Sequence, residues 1–166
     1  ALEEAGVDED KLDHIAFYEN PLVKFERLLT TYHLTAPSSL VSYLKAMPVW
    51  LTKNVWLENE ICRQMGIKKR IAFCDHHLSH AASAFFPSPY DDAAILTIDG
   101  VGEWSTATYG LGQGNSIELI EEIRFPNSLG LLYSAFTYFT GFKINSGEYK
   151  VMGLAPYGKP IYADAI

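Results

Sequence analysis

Ala93-Ala94-Ile95-Leu96-Thr97-Ile98-Asp99-Gly100-Val101-Gly102-Glu103 is the stretch whose reading decides the fold. Its first six residues form a near-continuous apolar run of strand length, the pattern of a β-strand buried on both faces. The run ends on an acid followed by two spaced glycines. Glycines let a ligand approach the backbone closely, and the amides of such a loop can point at an anion, which suits a phosphate. In that setting Asp99 can hold a metal ion or its water, and Glu103 can pair with a cation. The same residues also describe an ordinary glycine-containing turn with an Asx-type hydrogen bond from Asp99.

Working outward, Arg70 to Cys74 is a second strand that runs directly into Asp75-His76-His77-Leu78-Ser79-His80 and the small-residue helix Ala81 to Phe86. Downstream, Trp104 to Leu111 and Ser116 to Ile123 read as strands joined through the hairpin-like turn Gly112-Gln113-Gly114-Asn115. Asn127 or Ser128 then caps a helix through Tyr138 that stops at Gly141. The first third differs in character. Ala1 to Ala5 reads as a helix end closed by Gly6, and Asp13 to Tyr18 as a short strand. From Pro21 to Gly66 the pattern is helical, with Phe25, Leu28, Leu29 and Tyr32 on one face and Pro37 and Pro48 breaking the region into several helices. Trp50 to Met65 ends at Gly66, a C-cap glycine. Residues 1–66 are thus a mainly helical insertion and 67–166 a sheet core, an α/β pattern. Ligands in open α/β sheets bind at the carboxyl ends of strands, which is where both motifs lie.

At 166 residues, 48% hydrophobic and 20% charged, the composition is globular. A formal net charge of -7 argues against a nucleic-acid-binding surface, which needs clustered Lys and Arg. Cys62 and Cys74 form neither a CxxC knuckle nor a disulfide framework. No apolar run approaches the roughly 20 residues of a membrane span. A soluble, cytoplasmic protein with no nucleic-acid or membrane partner is expected. The chain opens at Ala1 without methionine and closes at Ile166 just past a glycine- and proline-containing loop, so it reads as a piece of a longer protein.

His76 and His80 carry the strongest chemical signal. Four residues apart at a helix start, their imidazoles project from one face and can share a metal ion. Asp75 and His77 can hydrogen-bond such ligands from behind. Because position 77 is His and not Glu, the pair is not the HExxH of metalloproteases. Clustered histidines that merely cap a helix would show the same spacing. A third stretch, Asn145-Ser146-Gly147-Glu148-Tyr149-Lys150-Val151-Met152-Gly153-Leu154-Ala155-Pro156-Tyr157-Gly158, reads as a shaped loop. There Lys150 can contact an anionic ligand and Glu148 can orient it, although a plain surface ion pair is the commoner outcome.

Together, the run Asp75 to Phe85, the strand exit Thr97 to Glu103 and the segment Gly147 to Gly158 resemble the carbamoyltransferase family, densely over about residues 67 to 160. Enzymes of that family carbamoylate nodulation factors, aminoglycosides and cephem antibiotics. The resemblance implies a partial fold of the actin, Hsp70 and sugar-kinase type (ribonuclease H-like), with a mixed sheet flanked by helices. It also implies a reaction in which carbamoyl phosphate and ATP give carbamoyl-adenylate in a separate C-terminal domain. The carbamoyl group then passes to a hydroxyl of a sugar-like or antibiotic acceptor at the metal-bearing domain. By the same resemblance His76 and His80 are iron-type ligands, and Asp99, Gly100 and Gly102 face the adenylate phosphate; Glu103 and Lys150 complete the cofactor-binding set. Imidazole ligands are equally compatible with zinc or nickel, and Mg²⁺ can accompany the nucleotide. Asp99 or His77 is the candidate base for the acceptor hydroxyl. The family's opening strand and first phosphate loop are expected before Ala1. A downstream aspartate ligand, the second α/β half and the adenylate-forming domain are expected after Ile166, so the piece alone is expected to be inactive. Two other functions fit the same residues: a non-catalytic nucleotide- or metal-binding module, and a tRNA threonylcarbamoyl transferase.

Overall fold

The structure is a computed structural model that describes residues 4, 6–8, 11–68 and 70–165. The helix end read over 1–5 lies largely outside the described residues. Strand β1 (Ile15–Phe17) and strand β2 (Ile71–Phe73) pair in parallel, Ile15 opposite Ile71 and Phe17 opposite Phe73. A parallel pair needs a long crossover, and the helical segment between the strands supplies it. Helix α1 (Pro21–Leu34) starts at Asn20, whose Oδ1 accepts from the amides of Leu22 and Val23, with Pro21 in the first turn where its missing N–H costs nothing.

Pro37 separates α1 from α2 (Leu40–Thr52), but Pro48 does not break the chain as its residue type suggests. It lies inside α2, where the buried Met47 and the stacking of Trp50 on Phe25, at 5.7 Å between centroids, hold the helix on either side of the lost hydrogen bond. A 3₁₀ turn (Asn54–Trp56) leads to α3 (Leu57–Gln64). The end of α3 is a Schellman motif: Gly66, at φ 68°, donates to Arg63 and Ile67 donates to Cys62.

The second sheet is an antiparallel meander of β3 (Asp92–Ile98), β4 (Ser105–Gln113) and β5 (Ser116–Arg124). Hydrogen bonding therefore divides the described strands into two separate sheets, not the single mixed sheet expected. Helix α4 (His76–Phe85), capped by Asp75, lies across one face of the meander. Ala81 and Phe85 pack on Ile95, with Ala93, Ile117 and Leu119 around them. Phe85 lies flat over Gly112, where a Cβ would come 2.6 Å from the ring, so the hairpin is built for this helix. The opposite face of the sheet is bare. β3 alternates, with Ile95 and Thr97 buried but Leu96 (69%) and Ile98 (54%) exposed, which corrects the reading of a strand buried on both faces.

Helix α5 (Leu129–Phe139) starts at Ser128, whose Oγ accepts from Leu131, and stops before Gly141 at φ 83°. The segment read as a shaped loop is instead helix α6 (Glu148–Leu154) followed by a 3₁₀ turn (Ala155–Tyr157). Glu148, the first residue of that helix, folds its carboxylate back to accept from the amides of Asn145 and Gly147 and so shapes the turn that leads into it. Among the described residues, no helix is long and apolar enough to cross a membrane.

Candidate metal centre

Three strand exits meet at one place. β1 runs into Tyr18, Glu19 and Asn20, β2 into Asp75 and His76, and β3 into Asp99. Asp75 Oδ1 accepts from Leu78 and starts α4, and the helical rise then carries His76 and His80 on one face. His76 Nε2 lies 2.8 Å from Asp99 Oδ2 and 3.1 Å from His80 Nε2, and His80 Nε2 lies 3.7 Å from Asp99 Oδ2. The ring of Tyr18 flanks His76 at 5.8 Å.

Proton counting shows what these three atoms are suited to hold. If Nε2 of His76 carries its proton and donates to Asp99, it offers no lone pair to His80; if it accepts from His80, it presents that lone pair to a carboxylate. A divalent cation accepts all three donors together. Donor atoms around one ion at about 2.1 Å lie about 3.0–3.4 Å apart, a range that the three observed separations straddle. The donor set, two imidazoles and a carboxylate, suits iron or zinc. Asp99, expected mainly at the phosphate, is thus the third member of the cluster within this chain.

The electrostatics agree. Burial alone would raise the pKa of Asp99, but the Gly100 amide, the hydrogen bond from His76 and the charges of His76 and His80 outweigh it and hold the carboxyl below its ordinary value. His77 stands apart. It is fully buried, with Nε2 2.9 Å from the Ser105 carbonyl and Nδ1 2.6 Å from Thr97 Oγ1, which itself contacts Thr108 Oγ1 at 2.7 Å. A carbonyl can only accept, so Nε2 donates and Nδ1 accepts from Thr97. Desolvation lowers the pKa of His77, outweighing the Ser105 carbonyl that favours its charged form. A neutral ring with both nitrogens engaged inside the core is not placed to take a proton from substrate, which corrects the candidate base role.

Other expectations also shift. Glu103, read as pairing with a cation and as part of the cofactor-binding set, is 5% exposed and accepts from two backbone amides, Asn20 at 2.6 Å and His76 at 3.0 Å. It ties the starts of α1 and α4 together. Asp75 is occupied as a helix cap and does not support a histidine. In the loop, the Gly100 amide donates to Asp99 Oδ1 at 2.6 Å and the Gly102 amide to the Ser105 carbonyl at 2.9 Å, so both amides serve the turn itself. Gly102 has a steric part as well, since a Cβ there would lie 3.0 Å from the His76 ring. Lys150, on α6, rests 6.0 Å from the Phe142 ring centre and 5.8 Å from that of Tyr149, and Glu148 accepts from the amides of Asn145 and Gly147 instead of orienting it.

Sequence reasoning passed over Glu19, Lys24 and Arg27. Glu19 Oε2 lies 2.6 Å from Lys24 Nζ and 3.7 Å from His76 Nδ1, an atom that is buried and has no hydrogen-bond partner among the described residues. Arg27 is buried behind the centre with its guanidinium 5.2 Å from the Phe125 ring centre; burial lowers its pKa against the opposing charges of Glu103 and Glu19. Its place on α1, one position short of the apolar stripe, was the only available signal.

Compared with known proteins, residues 1–166 match a family model described as the carbamoyltransferase N-terminus. An uncharacterized protein of Synechocystis is 55% identical over 99% of this chain and 28% of its own length. The nodulation protein NolNO of Sinorhizobium fredii is 36% identical over 96% of this chain and 22% of its own length. The nodulation protein NolO of Bradyrhizobium diazoefficiens is 40% identical over 52% of this chain and 16% of its own length. The chain spans about a quarter of the length of the first two curated relatives.

Proposed function

The chain belongs to the carbamoyltransferase family, of which it spans the N-terminal region, and from that premise we propose that it forms the metal-bearing part of an O-carbamoyltransferase. The whole protein would transfer a carbamoyl group from carbamoyl-adenylate, made from carbamoyl phosphate and ATP, to a hydroxyl of a sugar-like or antibiotic acceptor. The actin, Hsp70 and sugar-kinase type of fold, a cytoplasmic setting and dependence on the rest of the protein for the adenylate-forming step belong to the same proposal. The observation that carries it is the convergence of His76, His80 and Asp99 within 4.8 Å of one another at the strand exits of a family member.

His76, His80 and Asp99 would hold the cation, iron or zinc. When bound, it supplies Lewis-acid stabilisation of negative charge on a carbonyl or phosphate oxygen during acyl transfer. The chain's own residues shape what happens around it. His76 is fixed from below by Gly102 and through its amide by Glu103, which sets the direction of Nε2. His80, on the open side of the pair, leaves that side accessible to a ligand. With His77 confined to the core, Asp99 is this chain's remaining candidate to accept the hydroxyl proton of the acceptor. Lys150 is proposed to face the nucleotide only when the rest of the protein is in place.

The test uses the whole protein with ATP, carbamoyl phosphate and a panel of sugar hydroxyl acceptors, comparing wild type with His76→Ala, His80→Ala and Asp99→Asn. Metal content and carbamoyl transfer are expected to fall together while carbamoyl-adenylate formation continues. Retention of both metal and transfer in the two histidine variants would show that these residues serve the fold and not the reaction.

A further inference from the structure

Of the two nitrogens of His76, Nε2 faces Asp99 and His80, and Nδ1 points the other way, buried and without a hydrogen-bond partner among the described residues. A buried ring nitrogen left alone is costly, and the group across from it is a carboxylate, Glu19, at 3.7 Å. That distance is longer than a hydrogen bond, so the link in the ion-free chain is an electrostatic one. Glu19 is nevertheless held in place. Its side chain is only 14% exposed, Lys24 pairs with it at 2.6 Å, and the next residue, Asn20, is fixed through its amide by Glu103, the same carboxylate that holds the amide of His76. The backbone that positions Glu19 and the backbone that positions His76 are therefore tied to one side chain.

We propose that Glu19 is a positioning residue of the metal centre: its carboxylate favours the proton on Nδ1 of His76 and so leaves the Nε2 lone pair for the cation. This rests on reading His76, His80 and Asp99 as the cation site. The chemistry follows from the imidazole itself, which carries one proton on either nitrogen; a negative charge beside Nδ1 favours the proton there and makes Nε2 the donor. The two other carboxylates near the ring do not do this. Asp99, 2.8 Å from Nε2, competes for the ring proton in the ion-free chain and would be engaged by the cation once it is bound, which leaves Glu19 as the carboxylate for Nδ1; Glu103 is engaged with backbone amides. Lys24 neutralises part of the charge on Glu19, while burial of the side chain and the fixed backbone at Asn20 hold the carboxylate beside the ring without it.

The experiment titrates the whole apo-protein with Co²⁺, which reports binding and ligand field together through its visible absorption, in wild type, Glu19→Gln, Lys24→Met and His80→Ala. Glu19→Gln keeps the shape and removes the charge; it is expected to weaken Co²⁺ binding by about 10- to 100-fold and to shift the absorption bands of the loaded protein. Lys24→Met is expected to bind as wild type, and His80→Ala to lose binding. If Glu19→Gln binds like wild type with unchanged bands while His80→Ala does not bind, Glu19 is a bystander. Equal weakening by Lys24→Met and Glu19→Gln would mean that the ion pair acts through the fold, which also overturns the proposal. Wild-type binding by His80→Ala would instead bring down the cation site itself.

Discussion

His76 and His77 are neighbours in the chain and opposites in the molecule. Successive residues of a helix are turned by about 100°, so one ring faces the strand exits while the other enters the core under β3 and β4. There His77 links Thr97 to the Ser105 carbonyl, accepting through one ring nitrogen and donating through the other. His77→Ala is expected to cost about 2–4 kcal/mol through lost hydrogen bonds and the cavity left behind, read as a lower urea midpoint; a change under about 0.5 kcal/mol would show the pocket to be dispensable. Spacing made the pair His76 and His80 legible, because the helical period needs no tertiary information. It could not tell that Asp99 would join them or that His77 would not, since both outcomes depend on where β3 and β4 lie. Glu19 carried no local mark at all. It precedes an Asn-Pro helix start, and nothing in that pattern says that a ring from fifty-seven residues downstream will stand beside it.

At the level of elements, the site depends on one close packing. The start of α5 rests on the loop after β3: Ser128 Oγ contacts the carbonyls of Gly100 at 2.6 Å and Asp99 at 3.3 Å, and a Cβ on Gly130 would lie 2.6 Å from the Asp99 carbonyl carbon and 2.7 Å from the Gly100 nitrogen. Ala is the better helix former by about 1 kcal/mol, yet here it meets backbone that cannot turn aside. Gly130→Ala is therefore expected to lower stability by about 1–3 kcal/mol and to weaken Co²⁺ binding by moving Asp99, seen by thermal melting and the same titration; a stabilised protein with unchanged binding would refute the packing. Elements with strong local signals were legible: the capped helix after Ser128, the glycine stop of α3, the hairpin at Gly114. Pro48 misled because packing of Met47 and Trp50 outweighs one lost hydrogen bond. The segment 145–158 misled because its helix start is set by contacts the linear pattern does not display: Glu148 accepts from the preceding amides of Asn145 and Gly147, and the Tyr133 hydroxyl donates to the Glu148 carbonyl.

Across the whole molecule, α4 covers one face of the three-stranded sheet and the other is open. Leu96, Ile98, Tyr109, Leu111 and Ile123 are all exposed there on neighbouring strands, an apolar patch of the kind that marks an interaction surface. The chain by itself is expected to bind an apolar fluorescent dye through this face, and Leu96→Ser to reduce the signal without altering secondary structure. Unchanged dye binding would place the apolar surface elsewhere, for example on the aromatic side of α5.

By itself the amino-acid order determined the α/β class, the pairing of His76 with His80 and the family, because helical periodicity, apolar strand runs and three ordered motifs are properties of neighbouring residues. Only the tertiary structure decided that Asp99 completes the cluster, that Glu103 binds two helix starts together and that Glu19 faces the second nitrogen of His76. Those contacts join segments 19 to 83 residues apart, and their formation depends on strand pairing and packing that no local pattern encodes.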